Sequence, residues 1–188
     1  LTFLQTYVAG AGQLAVPATP LDRSGASELP ALLHPFIDRR GRIARALGWL
    51  RHRRERAAWT VVTGLPGGGK TAFALVVAYL LHQRDYPGPV VFVRLGGDTE
   101  HPPSSADVLG AILVALGHPR HEIDSAVDRR RTQVTGALHG RRALLVLDDA
   151  ASDQQVASID LPGGCAAIVT SRRELSALQD RGAPHIWL

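Results

Sequence analysis

Methionine and asparagine are absent from this 188-residue sequence, and cysteine and lysine each occur once. A lone Cys165 excludes an intrachain disulfide and agrees with a reducing compartment. Set between "GG" and "AAIVTS", it reads as a small buried residue rather than a nucleophile. Without an initiator Met, the chain is expected to be a fragment or a processed product. No apolar run approaches the ~20 residues that span a bilayer. The opening "LTFLQTYVAGAGQLAV" lacks a basic leader and is broken by Gln and Gly, so a signal peptide is not expected. The expected location is the cytoplasm. The histidines form no H-E-x-x-H and have no Cys partners, so no zinc site is implied. No internal repeat is visible.

Lysine scarcity is the informative absence. Arginine carries nearly all of the positive charge, giving a net +4 and a pI near 10.0. Compositional drift of a GC-rich genome accounts for much of that excess. It does not account for where the single lysine stands, inside "TGLPGGGKT" (Thr63 to Thr71). The basic balance admits a polyanionic partner, and the arginines of "RHRRER" and Arg129 to Arg131 equally suit solvated helix faces.

Residues 1–30 read as an N-terminal segment and linker, with "PATPLDRSGAS" the linker itself. From Arg39 to Arg56 a helix is predicted, because Ile43, Leu47 and Leu50 recur at helical spacing; Gly41 and Gly48 work against it. "WTVVTG", "PVVFVRL", "RRALLVLDDA", "CAAIVTSRR" and "HIWL" read as strands. They are continuous apolar runs, as expected of strands buried on both faces of a parallel sheet. Between them lie three helices. "KTAFALVVAYLLHQRD" is apolar nearly all round, "SSADVLGAILVALG" stops at Gly117, and residues 122–139 run through Ile123, Val127, Val134 and Leu138. Alternating strands and helices predict an α/β fold, a three-layer α/β/α core with a mainly parallel sheet, preceded by a short linker and helix.

The glycine run supplies the chemistry. Gly64 to Thr71 fits G-x-x-x-x-G-K-[ST], the phosphate-binding loop, and it follows a strand and opens a helix. Backbone N–H groups must wrap the phosphates, so side chains must be absent where the chain passes close to oxygen. Gly67, Gly68 and Gly69 provide that clearance between Gly64-Leu65-Pro66 and the helix. The first amides of the helix, at Lys70, Thr71 and Ala72, point its positive dipole end at the phosphates. Lys70 extends a compact ammonium to the β and γ oxygens, where arginine's planar fork would not fit. The Thr71 hydroxyl is predicted to ligate Mg²⁺. A second Mg²⁺ group is expected at the carboxyl end of a strand, and Asp148 of "LLVLDDA" stands there. Asp149 is the candidate to orient or deprotonate an attacking water. Thr170-Ser171-Arg172 ends the next strand, and Arg172 is the candidate contact to a γ-phosphate. "LGGDTE" is a loop near the site without an assigned role.

Taken together, these motifs resemble the nucleotide-binding domain of STAND-class, NB-ARC-type P-loop NTPases, as found in large bacterial signalling and transcriptional regulators. "PFIDRRGRIARAL", "GLPGGGKTAFA", "VVFVRL", "ADVLGAILVALG", "RRALLVLDDA", "LPGGCAAIVTSRREL" and "HIWL" carry the likeness, over roughly residues 35–188. The implied domain is 31–188, with its core at 58–188. In that family an upstream h-h-G-R-x-x-E pattern borders the adenine. Phe36, Ile37 and Arg39 match it, while Asp38 replaces the glycine and Arg42 the acid. The resemblance implies ATP or ADP with Mg²⁺, slow hydrolysis and a regulatory switch. It also implies helical, winged-helix, sensor and output domains in the same chain, nucleotide-dependent self-assembly, and DNA contact only through another domain. The rival readings are an AAA+-like turnover ATPase and a nucleic-acid-binding module built on the arginine-rich helix 39–56.

Overall fold

The computed structural model describes residues 39–52 and 55–188. Residues 1–30, Phe36 and Ile37 lie outside the described residues. Five strands form one sheet: β1 (Ala58–Thr63), β2 (Val90–Arg94), β3 (Leu144–Ala150), β4 (Ala166–Ser171) and β5 (His185–Trp187). Their order is β2-β3-β4-β1-β5, and every pairing is parallel. β1 and β4 are buried along their whole length, which explains their unbroken apolar sequence.

Parallel neighbours require crossovers, and helices make them. The chain leaves β1 and returns at the far edge of the sheet as β2. The helix between them, α2 (Lys70–His82), therefore lies across β3 and β4. It has to be apolar on several sides because it is sandwiched between that sheet face and α1 (Arg40–His52). α1 buries Ile43, Ala46, Leu47 and Leu50 at helical spacing. It is fastened by polar bonds as well. Tyr86 Oη donates to Leu50 O at 2.7 Å, Trp49 Nε1 to Trp59 O at 3.1 Å, and Arg51 Nε pairs with Asp85 at 2.7 Å. α1 ends at His52, short of the predicted Arg56, and residues 55–56 form a bend.

The opposite face is covered by α3 (Ser105–Ala115), α4 (Val127–Leu138) and two short helices, α5 (Asp153–Ala157) and α6 (Ser176–Gln179). A capping box starts α3. Ser104 Oγ accepts from Asp107 N, and the Asp107 carboxylate accepts from the Ser104 hydroxyl and N–H, which holds Asp107 below the usual carboxylate range. α4 begins at Val127 rather than at 122. Asp124 is the cause: its carboxylate accepts from Ala126 N and its own N–H donates to Gln133 Oε1, which turns the chain after a 3₁₀ turn at Arg120–Glu122. The pattern had not signalled α5 or α6, which are too short to show a period. Asp153 ties them together by accepting from Ser176 Oγ and Ala177 N. Cys165 is buried, and burial pushes its thiol pKa up, as suits an inert core residue.

Ile168, fully buried on the central strand β4, reports on this sandwich. Ile168→Ala is expected to cost about 2–5 kcal/mol in urea unfolding. Leu65→Ala, at a residue 71% exposed, should stay within about 0.5 kcal/mol. Equal costs would contradict the placement of β4 at the centre of the core.

Candidate functional site

The carboxyl ends of β1, β3 and β4 converge on a cleft of about 440 Å³. The loop after β1 forms one wall. Gly67 and Gly69 adopt φ of 73° and 74°, values a side chain resists. At Gly69 this left-handed turn is the N-cap of α2, with no side chain over the first helical amides. Those amides therefore open into the cleft, with Thr71 and Ala72 among the lining residues. Lys70 is only 8% exposed, and its Nζ donates to Gly64 O at 3.0 Å and Leu65 O at 2.9 Å. Arg39 reaches the same loop from the start of α1, donating from Nη1 to Gly68 O at 2.6 Å.

The floor is built around Asp148. Its Oδ1 accepts from Thr71 Oγ1 at 2.7 Å and from Thr170 Oγ1 at 2.8 Å. Asp148 is nearly buried, and the two hydroxyls offset the cost of that burial. A Mg²⁺ ion in a phosphate site keeps several waters and takes only one or two protein oxygens. A hydroxyl and a carboxylate 2.7 Å apart beside the loop fit that need. Among the described residues no group of three or more His, Cys, Asp or Glu forms a self-sufficient metal cage.

Asp149 owes its position to a bulge. Leu147 pairs with Val169 but Ala150 pairs with Ser171, so β3 holds one extra residue. Asp149 takes φ of 58°, the one positive value among the described non-glycine residues. Three contacts hold it there. Its N–H donates to Thr170 Oγ1 at 2.8 Å, its carbonyl accepts from Gly97 N at 2.7 Å, and its carboxylate pairs with Arg172 Nε at 3.2 Å. A Cβ on Gly97 would stand 2.6 Å from the Asp149 carbonyl, so only glycine lets the loop after β2 approach.

Arg172 also approaches Asp98, at 3.6 Å. The predicted residues thus gather at one end of the sheet: Pro66, Gly67, Gly69, Lys70, Thr71, Ala72, Asp148, Asp149 and Arg172 line the cleft, Gly64 and Gly68 complete the loop, and Arg39 braces it. Arg94, Gly96 and Asp98 line it too and had no predicted role. Their one signal was a place at or just after the end of an apolar strand, where ligands bind.

A family model described as "AAA domain" matches residues 52–179. Two relatives, each described as "Regulatory protein AfsR", come from Streptomyces griseus and Streptomyces coelicolor. They are 38% and 37% identical to this chain over 117 residues, which is 61% of this chain and 12% of each relative. The chain thus matches a small part of much longer proteins. A solved structure of the ORC2 protein of Aeropyrum pernix, in ADPNP–ADP complexes, aligns with a TM-score of 0.53 at 14% identity, covering 81% of this chain and 48% of that one. That likeness concerns the fold, and it agrees with a P-loop α/β/α core.

Thr170 both donates to Asp148 and accepts from the bulge, so Thr170→Val removes two buried partners at once. The expected cost is about 1–3 kcal/mol of unfolding free energy, read from the denaturant midpoint. A variant as stable as the parent would show that the hydroxyl does not anchor the floor.

Proposed function

The chain belongs to the AAA-domain family of P-loop proteins, and on that premise we propose that it is the ATP- and ADP-binding switch of a larger STAND-type regulator. Residues 31–188 would be its NB-ARC-like nucleotide-binding domain. The observation that carries this reading is the bond from Thr71 Oγ1 to Asp148 Oδ1, which brings the phosphate loop and the acidic strand end within 2.7 Å. Two motifs far apart in sequence then serve one ligand. The similarity to AfsR regulators supports a place within a multidomain protein.

Each residue has a physical task. The loop amides and the α2 N-terminus hold the phosphates. Lys70 exchanges its carbonyl partners for phosphate oxygens. Thr71 and Asp148 would hold Mg²⁺, which supplies charge neutralisation to the phosphates when bound. Asp149 would orient a water, and its bond to Arg172 restrains it. A γ-phosphate would compete with Asp149 and Asp98 for Arg172, so occupancy is reported to the β3 bulge and the loop after β2. Phe36, Ile37 and Arg39 would border the base. A nucleotide shifts a switch only by its differential affinity for the two states, and a salt bridge exchanged for a phosphate contact supplies such a difference. Slow hydrolysis would reset the state.

Lys70→Ala should abolish most affinity for both nucleotides in calorimetry, with the fold retained. Asp148→Ala should remove the Mg²⁺ dependence of ATP binding, whereas Asp149→Ala should spare binding and lower hydrolysis. Saturating nucleotide should stabilise the parent domain by about 2.7 kcal/mol at a hundredfold excess over Kd, with turnover far below ~1 s⁻¹. Unchanged affinity in Lys70→Ala would sink the nucleotide reading, and brisk turnover would favour a self-sufficient ATPase.

A further inference from the structure

Arg94, the last residue of β2, has no role in the reading above. It is registered opposite Asp148 across the β2–β3 ladder. Side chains alternate along a strand, so Arg94 shares a sheet face with Val90 and Phe92, both of which pack against the α1–α2 side of the core. That is the face on which α2 begins, and Arg94 lines the cleft together with Lys70 and Thr71. Arg172 is engaged by two carboxylates. Arg94 is exposed and makes no ion pair with any described residue.

The order of strands sets the order of charges. From the loop outward come β1, then β4 with Arg172, then β3 with Asp148, then β2 with Arg94. Strands lie about 4.8 Å apart, so Arg94 stands roughly 14 Å from β1 at its backbone, opposite Asp148 on the neighbouring strand and on the wall of the cleft. Lys70 and the loop amides serve the phosphates nearest the loop. In that reading the terminal phosphate, which Lys70 also meets on its loop side, would lie over the ends of β4 and β3, within reach of the cleft wall that Arg94 lines. A diphosphate would place no phosphoryl charge at that end of the cleft.

Resting on the reading of this cleft as a nucleotide site, we infer that Arg94 is a specificity-determining residue that binds the terminal phosphate of a nucleoside triphosphate and sets the preference for triphosphate over diphosphate. Its guanidinium offers a planar fork suited to a phosphoryl group. Its register beside Asp148 also places positive charge next to the metal-binding carboxylate without neutralising it in a salt bridge.

Calorimetry with ADP and with a non-hydrolysable ATP analogue, in excess Mg²⁺, tests this on the parent, Arg94→Gln, Arg94→Lys and Lys70→Ala proteins. Arg94→Gln should raise the Kd for the ATP analogue about tenfold or more, the loss expected of a charged hydrogen bond, and change that for ADP by less than about twofold. Arg94→Lys should recover part of the preference, and the ligand-free melting temperature should not move. Equal weakening of both ligands, or no change in either, overturns the assignment even when Lys70→Ala abolishes both. Should Lys70→Ala leave both affinities intact, the nucleotide reading itself fails and the assignment falls with it.

Discussion

One carboxylate oxygen, Oδ1 of Asp148, accepts from hydroxyls on two other elements: Thr71 at the start of α2 and Thr170 at the end of β4. The phosphate loop is a glycine-rich segment with few contacts of its own, so its direction depends on where α2 starts. That start is fixed against β3 and β4 through this oxygen. Hydrogen bonds to a buried charge are about twice as strong as neutral ones, and leaving such a charge unpaired is costly. The same atom therefore organises the floor of the cleft and holds both hydroxyls against it. Thr170 adds a second link, because its oxygen also receives the Asp149 N–H. Moving β4 relative to β3 would disturb both aspartates together.

The loop is braced from outside as well. Arg39 donates to Gly68 O, and α1 behind it is held by Leu50, Trp49 and Arg51 through bonds to Tyr86, Trp59 and Asp85. The Arg39 bond couples α1 to the conformation of the loop. A displacement of α1 has to break that bond or drag the Gly68 carbonyl with it. Within the loop, Lys70 Nζ holds the Gly64 and Leu65 carbonyls and Gly68 N donates to Leu65 O, and Arg39 adds the restraint from α1. Arg39 thus gives the segment before the core a direct mechanical contact with phosphate-binding backbone.

Much of this was legible in the sequence because the signals were local. Glycines before Lys70 announce a backbone cradle whatever surrounds them, and unbroken apolar runs announce strands buried on both faces. Asp148 and Arg172 were legible because each ends such a run. The rest depended on register. Nothing in "LDDA" says that β3 carries an extra residue, yet that bulge gives Asp149 its left-handed backbone and its three restraints. Arg94 ends an apolar strand and Asp98 follows it with no local signal; the β2–β3 pairing brings Arg94 beside Asp148, and the loop after β2, bonded to the β3 bulge, brings Asp98 to Arg172. The start of α4 was misjudged because Asp124 and Gln133 redirect the backbone through side-chain bonds that no periodicity records. Phe36 and Ile37, named on resemblance, lie outside the described residues.

The distribution of cations bears on how a cleft of this kind distinguishes states. Lys70 is bonded to loop carbonyls and Arg172 to Asp149 and Asp98, so both must give up partners to meet a phosphate. Such exchanges return only part of the gross interaction, because one set of contacts replaces another. They are well suited to a switch, since what changes is which partner is held. Arg94 makes no ion pair with any described residue, so a phosphate contact there would need little reorganisation. Moving a two-state equilibrium from about 1:99 to 99:1 requires roughly 5.5 kcal/mol of differential binding, more than one charged hydrogen bond supplies. A triphosphate that engages Arg94 directly and frees Asp149 and Asp98 from Arg172 would draw on several contacts at once. That division would separate residues that confer affinity from residues that transmit occupancy to the β3 bulge and the loop after β2.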